Sequence, residues 1–208
     1  MLQQTDLFYP PERVFLRAFK SERVLEIWGS NGVDSVFRKV TEMPFTGFSG
    51  ELGPKRERGD GQIPEGFYCI DNFNPVSQYA HMSLHLNYPN RSDQIFKAGT
   101  DPGGDICIHG HWFSTGCVVI GDESISKLFL ICLEAHNNGQ EKISVHIFPC
   151  KMPSLCRENN LMLDSLSRRD SVLHAFWENL RTGYELFERS YRLPEVWIDE
   201  VGRYRFRL

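Results

Sequence analysis

The sequence has no run of about 18 consecutive apolar residues, the length that a membrane-spanning helix needs. It has no excess of basic residues either, since 23 Lys and Arg against 27 Asp and Glu give a formal net charge of −4. The first residues, MLQQTDLFYPPERVF, lack the basic segment and the apolar segment of a secretion signal. We therefore expect no transmembrane helix, no nucleic-acid-binding surface and no export signal in this chain.

Cysteine is too sparse for a disulfide scaffold, and its spacing fits no zinc ribbon. The six cysteines are Cys69, Cys107, Cys117, Cys132, Cys150 and Cys156. Cys150 and Cys156 are close enough to bridge across a short loop, a pairing that spacing alone leaves open. The composition, 41% hydrophobic and 24% charged, is that of a globular protein, and 208 residues suit one domain with an appended element.

Short runs rich in β-branched and aromatic residues predict a β-dominated core. These runs are RVFLRAF, VLEIWGS, SVFRKV, FYCID, HMSLHLNY, DICIHGH, VVI and KISVHIFP. The alternation in VLEIW predicts a strand that is buried on one face only. Between the third and fourth runs, TGFSGELGPKRERGDGQIPEG has six glycines and two prolines in 21 residues. That composition indicates a shaped surface loop, which we interpret as one wall of a cleft.

Two segments have helical periodicity. GDESISKLFLICLEAHNNG predicts a helix with Asp122 as its N-cap and with Asn and Gly residues at its end. SVLHAFWENLRTGYELFERSY places large apolar side chains on one helical stripe and predicts a helix that packs onto the sheet. The fold class is therefore α+β, with a domain over residues 1–150 and a C-terminal helical extension over residues 151–208 packed on it.

The segment DICIHGHWFSTGC, residues 105–117, concentrates two cysteines, two histidines and a serine in thirteen residues. Alternation along an extended chain predicts Cys107, His109 and His111 on one face. A cysteine reacts as its thiolate, which a neighbouring histidine favours by taking the proton. Because STG permits a tight turn before Cys117, we expect His109 to meet its sulfur.

The same turn offers an oxyanion hole made of the backbone N–H groups of Thr115, Gly116 and Cys117. Two other interpretations stay open at this point. A free cysteine is often a buried and unreactive residue, and Cys107 is interpreted as packing. A metal site is the second alternative, with the ligand set Cys107, His109, His111 and Cys117. Spacing alone does not decide between a nucleophile and a metal ligand.

The histidine, the spacer and the Ser-Thr-Gly-Cys run resemble the active-site signature of the L,D-transpeptidase (YkuD-type) catalytic domain. More closely, the chain resembles the YafK-like branch of murein L,D-transpeptidases. The matching segments occur in one order and are SGELGPKRERGDGQIPEGFY, NPVSQYAHMSLHLNYPNRSD, IHGHWFSTGCVVIGDESI, VHIFPCKM and FWENLRTGYELFE. The resemblance implies an L,D-transpeptidase-like catalytic fold with a cleft over a mixed sheet.

The resemblance further implies that Cys117 is the nucleophile and His109 its general base, without a metal or other cofactor. The donor would be a peptidoglycan stem peptide, and an amine or water would accept the acyl group from a thioester intermediate. An amidase that releases a diaminopimelate-linked envelope lipoprotein is the alternative outcome, and a non-catalytic peptidoglycan-binding module is a second. Such substrates imply the cell envelope, and within it the periplasm, although the chain shows no export signal. The oligomeric state does not follow.

Four further residues are candidates for substrate binding, and the resemblance accounts for two of them. His85 and Asn87 lie in a segment that resembles the family's cleft-lining strand. Two interpretations of His111 stay open, namely that it steers the substrate or modulates the cysteine, and that it is a surface histidine beside Trp112. Ser114 is expected to bind the backbone of the turn, with substrate binding as the other interpretation. The chain departs from the wider family in having only seven residues between the histidine and the cysteine, and in Thr115 and Val119. These departures agree with the YafK-like branch.

Overall fold

The computed structural model describes residues 10–32, 36–77, 81–152 and 170–208, and an eight-stranded sheet runs through them. Its strands are Arg13–Phe19 (β1), Val24–Ser30 (β2), Arg38–Pro44 (β3), Gly66–Ser77 (β4), His81–Leu86 (β5), Cys107–His109 (β6), Val118–Val119 (β7) and Ile143–Phe148 (β8). Across the sheet the order is β3-β2-β1-β8-β4-β5-β6-β7. The sheet is mixed, because β1 pairs with β8 and β6 with β7 in parallel, whereas the other neighbours are antiparallel.

Three helices and a separate hairpin complete the described residues. They are Arg91–Phe96 (α1), Asp122–Asn137 (α2), Ser171–Ser190 (α3), Glu195–Ile198 (β9) and Tyr204–Arg207 (β10). The predicted β-dominated α+β class is confirmed. Among the described residues, none of the helices combines the length and apolarity needed to cross a bilayer.

Two short elements of the fold do not follow from the periodicity of the sequence. α1 was not predicted, although Asn90 and Asp93 form a capping box that marks its start. The hairpin of β9 and β10 was not predicted either, so the C-terminal extension is not wholly helical. Cys150 has no disulfide partner among the described cysteines, and Cys156 lies outside the described residues, so the question of a bridge between the two stays open.

The start of α2 differs from the prediction. Gly121, with φ of 77°, holds the N-cap position, and Asp122 is the first helical residue rather than the cap. The Asp122 carboxylate instead accepts a hydrogen bond from the backbone N–H of His111 at 2.7 Å. The acidic side chain therefore ties the helix to the loop that carries the candidate reactive residues.

Both faces of the central sheet are buried. On one face, α2 packs over aliphatic residues such as Leu16 and Val145. On the other face, α3 packs over aromatic residues such as Phe19 and Phe148. The prediction that β2 is buried on one face only is therefore wrong. Glu26 is only 3% exposed, and its carboxylate accepts hydrogen bonds from buried Arg17 at 3.0 and 2.8 Å, which compensates for the loss of water.

The helix α3 leaves one end of its face of the sheet uncovered. It packs against aromatic residues of β1, β2, β4 and β8. Further along the same face, the cross-strand pairs place Ser83 beside His109 and His85 beside Cys107 on the neighbouring strands β5 and β6. Polar and nucleophilic side chains therefore line the part of the sheet that lies beyond the helix.

A buried ion pair fastens the turn-rich segment to this sheet. The Lys20 ammonium lies 3.0 Å from the Glu65 carboxylate, and neither side chain is exposed. Lys20 also donates to the backbone oxygens of Gly53 and Ile63 at 2.6 and 2.9 Å. Glu65 in turn accepts hydrogen bonds from the Gly53 N–H and from the indole N–H of Trp177 in α3. The pair thus joins β1, the turn-rich segment and α3.

Lys20→Met should lower the free energy of unfolding by about 3–5 kcal/mol, because it leaves the Glu65 carboxylate buried without a cation. The double variant Lys20→Met/Glu65→Gln should recover part of that loss, since it removes the uncompensated charge and keeps an acceptor for the Gly53 N–H. Urea unfolding followed by circular dichroism measures both. The matched control is Lys127→Met, which breaks an exposed ion pair with Glu123. Equal losses in Lys20→Met and Lys127→Met would contradict this account.

Candidate active site

The local backbone brings Cys117 beside β6. β7 pairs in parallel with β6, with Val118 opposite Ile108, so the residue before β7 lies next to the start of β6. Gly116 precedes the cysteine with φ of +124°, a conformation that side-chain-bearing residues rarely adopt. A Cβ atom there would also come within 2.9 Å of the Gln62 carbonyl oxygen. The glycine therefore sets the turn that presents the sulfur.

The Cys117 sulfur has two donors from one residue. The backbone N–H of Cys107 lies 3.4 Å from it, and the Cys107 sulfur lies 3.6 Å from it. As a neutral thiol, Cys117 itself reaches the carbonyl oxygen of Asp105 at 3.7 Å. Cys117 is a partly exposed residue, whereas Cys107 is 8% exposed. Cys117 is therefore the more accessible of the two cysteines.

The imidazole of His109 completes this cluster. One ligating atom of each of Cys107, His109 and Cys117 lies within 4.8 Å of the others. His109 Nδ1 lies 2.6 Å from the carbonyl oxygen of Gly110, which can only accept, so Nδ1 carries a proton. In the neutral ring, Nε2 is then the nitrogen that can accept a proton. The side chains of Cys117 and His109 are therefore neighbours, as the turn before Cys117 led us to expect.

These contacts favour an ion pair between the cysteine and the histidine. Hydrogen bonding from Cys107, aided by His109, holds the pKa of the Cys117 thiol well below its usual range, despite the opposing effect of burial. The hydrogen bond to Cys117, together with burial, raises the pKa of the Cys107 thiol, so Cys107 is the protonated donor. Burial lowers the pKa of His109, but its hydrogen bond and attraction to Cys117 outweigh burial and raise it.

From the sequence, Cys107 was interpreted as a packing residue. In the structure it also forms a hydrogen bond with the sulfur of Cys117. It lies one strand position from His109, and alternation did place both side chains on one face of β6. The contact with Cys117 depends on the parallel pairing of β6 with β7, which brings together residues ten positions apart. The only signal in the sequence was a second cysteine on the face that also carries the histidine.

The turn-rich segment forms one side of the site. The Thr46 N–H donates to the Val119 carbonyl, and the Thr46 hydroxyl donates to the His111 carbonyl, at 2.8 and 2.7 Å. Gly47 bridges to Val119, and a Cβ atom on it would lie 2.1 Å from the Trp112 carbonyl oxygen. This close backbone approach is what the glycine permits. The segment is thus packed against the loop between His109 and Cys117.

Ser114 binds the turn that contains the cysteine. Its hydroxyl donates to the Cys117 carbonyl at 2.8 Å and accepts from the Gly116 N–H at 3.1 Å. The Gly116 N–H, one of three expected oxyanion donors, is therefore already engaged. Within the described part of the chain, no acceptor is found for the N–H groups of Thr115 and Cys117. Of the three expected donors, these two N–H groups are the ones without an acceptor among the described residues.

The remaining predicted site residues lie at different distances from the cysteine cluster. His85 is half-buried beside Cys107, and its Nε2 lies 3.3 Å from the Ser83 hydroxyl. The Asn87 side chain accepts from the Cys69 N–H at 2.8 Å, which joins β4 to the end of β5. His111, with φ of 65°, leaves the strand direction, and its Nδ1 lies 3.6 Å from the Asp122 carboxylate. Only His85 is thus brought to the cysteine face of the sheet.

The fourfold metal set considered from the sequence is not assembled. Three of its members converge, namely Cys107, His109 and Cys117. His111 is turned toward α2 because the strand ends at His109. Among the described residues, no fourth side-chain ligand joins the three.

Comparison with known proteins identifies the family. The chain is 30% identical over 193 residues to YafK of Escherichia coli K12, a protein assigned to the L,D-transpeptidases, and the match covers 92% of this chain and 72% of that protein. The chain belongs to the YafK-like L,D-transpeptidases. YafK of Escherichia coli O157:H7 matches to the same extent. No protein-family profile matches the chain.

Solved structures share the fold of this YafK-like chain. The helical cell shape determining protein Pgp2 of Campylobacter jejuni superposes with a TM-score of 0.53 at 19% identity, over 90% of this chain and 73% of that one. A K307A variant of Pgp2 also gives 0.53, over 93% and 74%. These matches agree with the predicted L,D-transpeptidase-like fold.

Cys107→Ala should raise the pKa of the Cys117 thiol, because it removes the S–H donor that favours the thiolate. The thiolate of the wild-type protein should persist well below pH 9, and the midpoint of its titration should move upward in the variant. The measurement is the rate of Cys117 alkylation by iodoacetamide as a function of pH, with the modified peptide identified by mass spectrometry. At a pH below both midpoints, each unit of increase in the pKa should lower the thiolate population about tenfold.

Cys107→Ser keeps a donor at this position and should restore much of the wild-type midpoint. Cys69→Ala serves as the matched control, because Cys69 lies on β4 outside the cluster. Identical midpoints for the wild-type and Cys107→Ala proteins would refute the role of Cys107.

Proposed function

We propose that this chain is a cysteine-dependent L,D-transpeptidase-type enzyme that acts on peptidoglycan stem peptides through a thioester. The observation that carries the proposal is the sulfur of the partly exposed residue Cys117, held beside His109 and hydrogen-bonded by Cys107. These contacts favour the thiolate, and the partial exposure of Cys117 leaves it open to a substrate, which are the two requirements of a cysteine nucleophile. Membership of the YafK-like family supports the choice of substrate.

In the first step, the Cys117 thiolate attacks the carbonyl carbon of the residue that precedes the terminal D-alanine. The carbonyl oxygen becomes an oxyanion, which the N–H groups of Thr115 and Cys117 are free to stabilise. The C–N bond then breaks, and the imidazolium of His109 gives its proton to the leaving amine. The products are free D-alanine and a thioester on Cys117.

In the second step, an amine or water attacks the thioester. Neutral His109 takes a proton from the attacking group through Nε2, while its Nδ1–H stays on the Gly110 carbonyl. The C–S bond breaks and the thiolate returns, now paired again with imidazolium. An amine yields a crosslink or an attached lipoprotein, whereas water yields a shortened peptide. Both outcomes use the same intermediate, and they differ in which nucleophile reaches it.

The surroundings of the sulfur suit an extended peptide ligand. Trp112 and Phe113 are 75% and 70% exposed in the loop between His109 and Cys117. His85 lies on the same sheet face on the other side of β6. We assign these residues to substrate contact, His85 through a polar group and the aromatic pair through apolar area. A peptide in the envelope implies that the protein works in the periplasm.

Cys117→Ala should abolish release of D-alanine from tetrapeptide-containing muropeptides, because no thioester can form. His109→Ala should lower the rate by about 10²–10⁴-fold, the usual contribution of a general acid–base group. His174→Ala is the matched control, since His174 lies on the exposed surface of α3. Products are separated by liquid chromatography and identified by mass. Undiminished turnover by Cys117→Ala would remove the proposal.

A second experiment separates the transferase from the amidase. The purified protein is incubated with tetrapeptide muropeptides and, separately, with sacculi that carry covalently attached lipoprotein. Crosslinked dimers in the first reaction indicate transpeptidation, whereas released lipoprotein in the second indicates the amidase. A carbapenem β-lactam should acylate Cys117 in either case. Absence of all three products would favour the non-catalytic binding module.

A further inference from the structure

We infer that Cys107, His109 and Cys117 form a binding site for Zn²⁺, and that the ion competes with substrate for the same sulfur and imidazole. The binding site is independent of any reaction, whereas the competition rests on the proposed function. The inference starts from the convergence of three ligating atoms of the kinds that zinc prefers.

The two sulfurs are separated by the distance that a tetrahedral ion requires. They lie 3.6 Å apart, and two sulfurs at about 2.3 Å from one ion would subtend an angle of about 103° at that separation. This angle is close to the tetrahedral value. The ion can therefore replace the S–H hydrogen bond between Cys107 and Cys117 without moving β6 away from β7.

The histidine is already held as a metal ligand would be. His109 donates its Nδ1–H to the Gly110 carbonyl oxygen at 2.6 Å. Metal-binding histidines usually donate their other ring N–H to a carbonyl or carboxylate, which fixes the ring and selects the ligating nitrogen. The same bond leaves Nε2 for the ion.

The chemistry of the ligand set selects the metal. Two thiolates and one imidazole favour Zn²⁺ over Mg²⁺ and Ca²⁺, which prefer oxygen ligands. No carboxylate joins the three groups in the described part of the chain. Three protein ligands leave a fourth position for water, and the partly exposed Cys117 gives the ion a path from solvent.

Zinc binding and catalysis require different protonation states of Cys107. Support of the nucleophile needs the protonated thiol of Cys107 as a donor, whereas zinc needs both thiols ionised. Bound zinc would also occupy the Cys117 sulfur and Nε2 of His109, the nitrogen that exchanges the proton in the proposed reaction. The ion therefore acts as a reversible inhibitor, and Cys107 is the residue that turns a catalytic pair into a metal site.

The first test is cobalt substitution in the reduced wild-type chain. Co²⁺ should bind as one ion per chain and give the intense absorption of tetrahedral cobalt together with a thiolate-to-cobalt charge-transfer band. Zn²⁺ should displace it. A spectrum without the charge-transfer band would overturn the site, and this result does not depend on the folding of any variant.

The second test is titration calorimetry with Zn²⁺ on the reduced wild-type protein and on Cys107→Ala, His109→Ala and Cys117→Ala. Loss of a ligand should weaken Zn²⁺ binding at least about 100-fold. Even loss of a residue that only hydrogen-bonds to a metal ligand typically lowers metal affinity about 10–100-fold. Cys69→Ala should bind like the wild type. Equal affinity in the wild-type and Cys107→Ala proteins would overturn the inference.

A third set of measurements distinguishes failure of the zinc site from failure of the proposed function. Zn²⁺ should protect Cys117 from iodoacetamide, and a chelator should restore its reactivity, whether or not the protein turns over muropeptides. If the enzyme is active, Zn²⁺ should inhibit it, and Cys107→Ser should raise the inhibitory concentration at least about 100-fold, whatever its own rate. Inhibition of the two proteins at the same concentration would overturn the role of Cys107.

Discussion

The hydrogen bonds that reach the Cys117 sulfur are the interaction on which the candidate site depends. A thiol at neutral pH is mostly protonated unless its surroundings favour the anion. Here the favourable groups are the N–H and S–H of Cys107 and the imidazole of His109. All three come from β6, so the reactivity of one side chain rests on the pairing of a three-residue strand with its neighbour.

The rest of the fold keeps that pairing in place from both faces of the sheet. α2 covers one face with aliphatic contacts, and its first residue, Asp122, holds the loop after His109. On the other face, the buried Lys20–Glu65 pair anchors the turn-rich segment, which packs against the loop before Cys117. Four hydrogen bonds offset the free-energy cost of burying these charges. Lys20 donates two of them to backbone oxygens, and Glu65 accepts the other two, from a backbone N–H and from Trp177. Rigidity near the sulfur is thus supplied by groups far from it in sequence.

The secondary structure was largely predictable, whereas its burial was not. β1 and β2 match the predicted runs, and α2 and α3 match the predicted helical segments within a few residues. Alternation in β2 nevertheless suggested one buried face, because a polar residue such as Glu26 normally faces water. The partner that permits its burial, Arg17, belongs to another strand. Periodicity reports local spacing and does not reveal which distant element covers a face.

By itself, the sequence determined the periods of the strands and helices and the turn before Cys117. It also predicted that this cysteine lies beside His109. All of these depend on short spacings along the chain and on a family signature. Only the tertiary structure decided that Cys107 contacts the reactive sulfur, that His111 turns away and that the turn-rich segment packs against the site. These contacts depend on the parallel register of β6 and β7 and on hydrogen bonds between residues as far as 65 positions apart. Spacing in the sequence gives information about residues that are close along the chain. These contacts join residues that are close only in the folded structure.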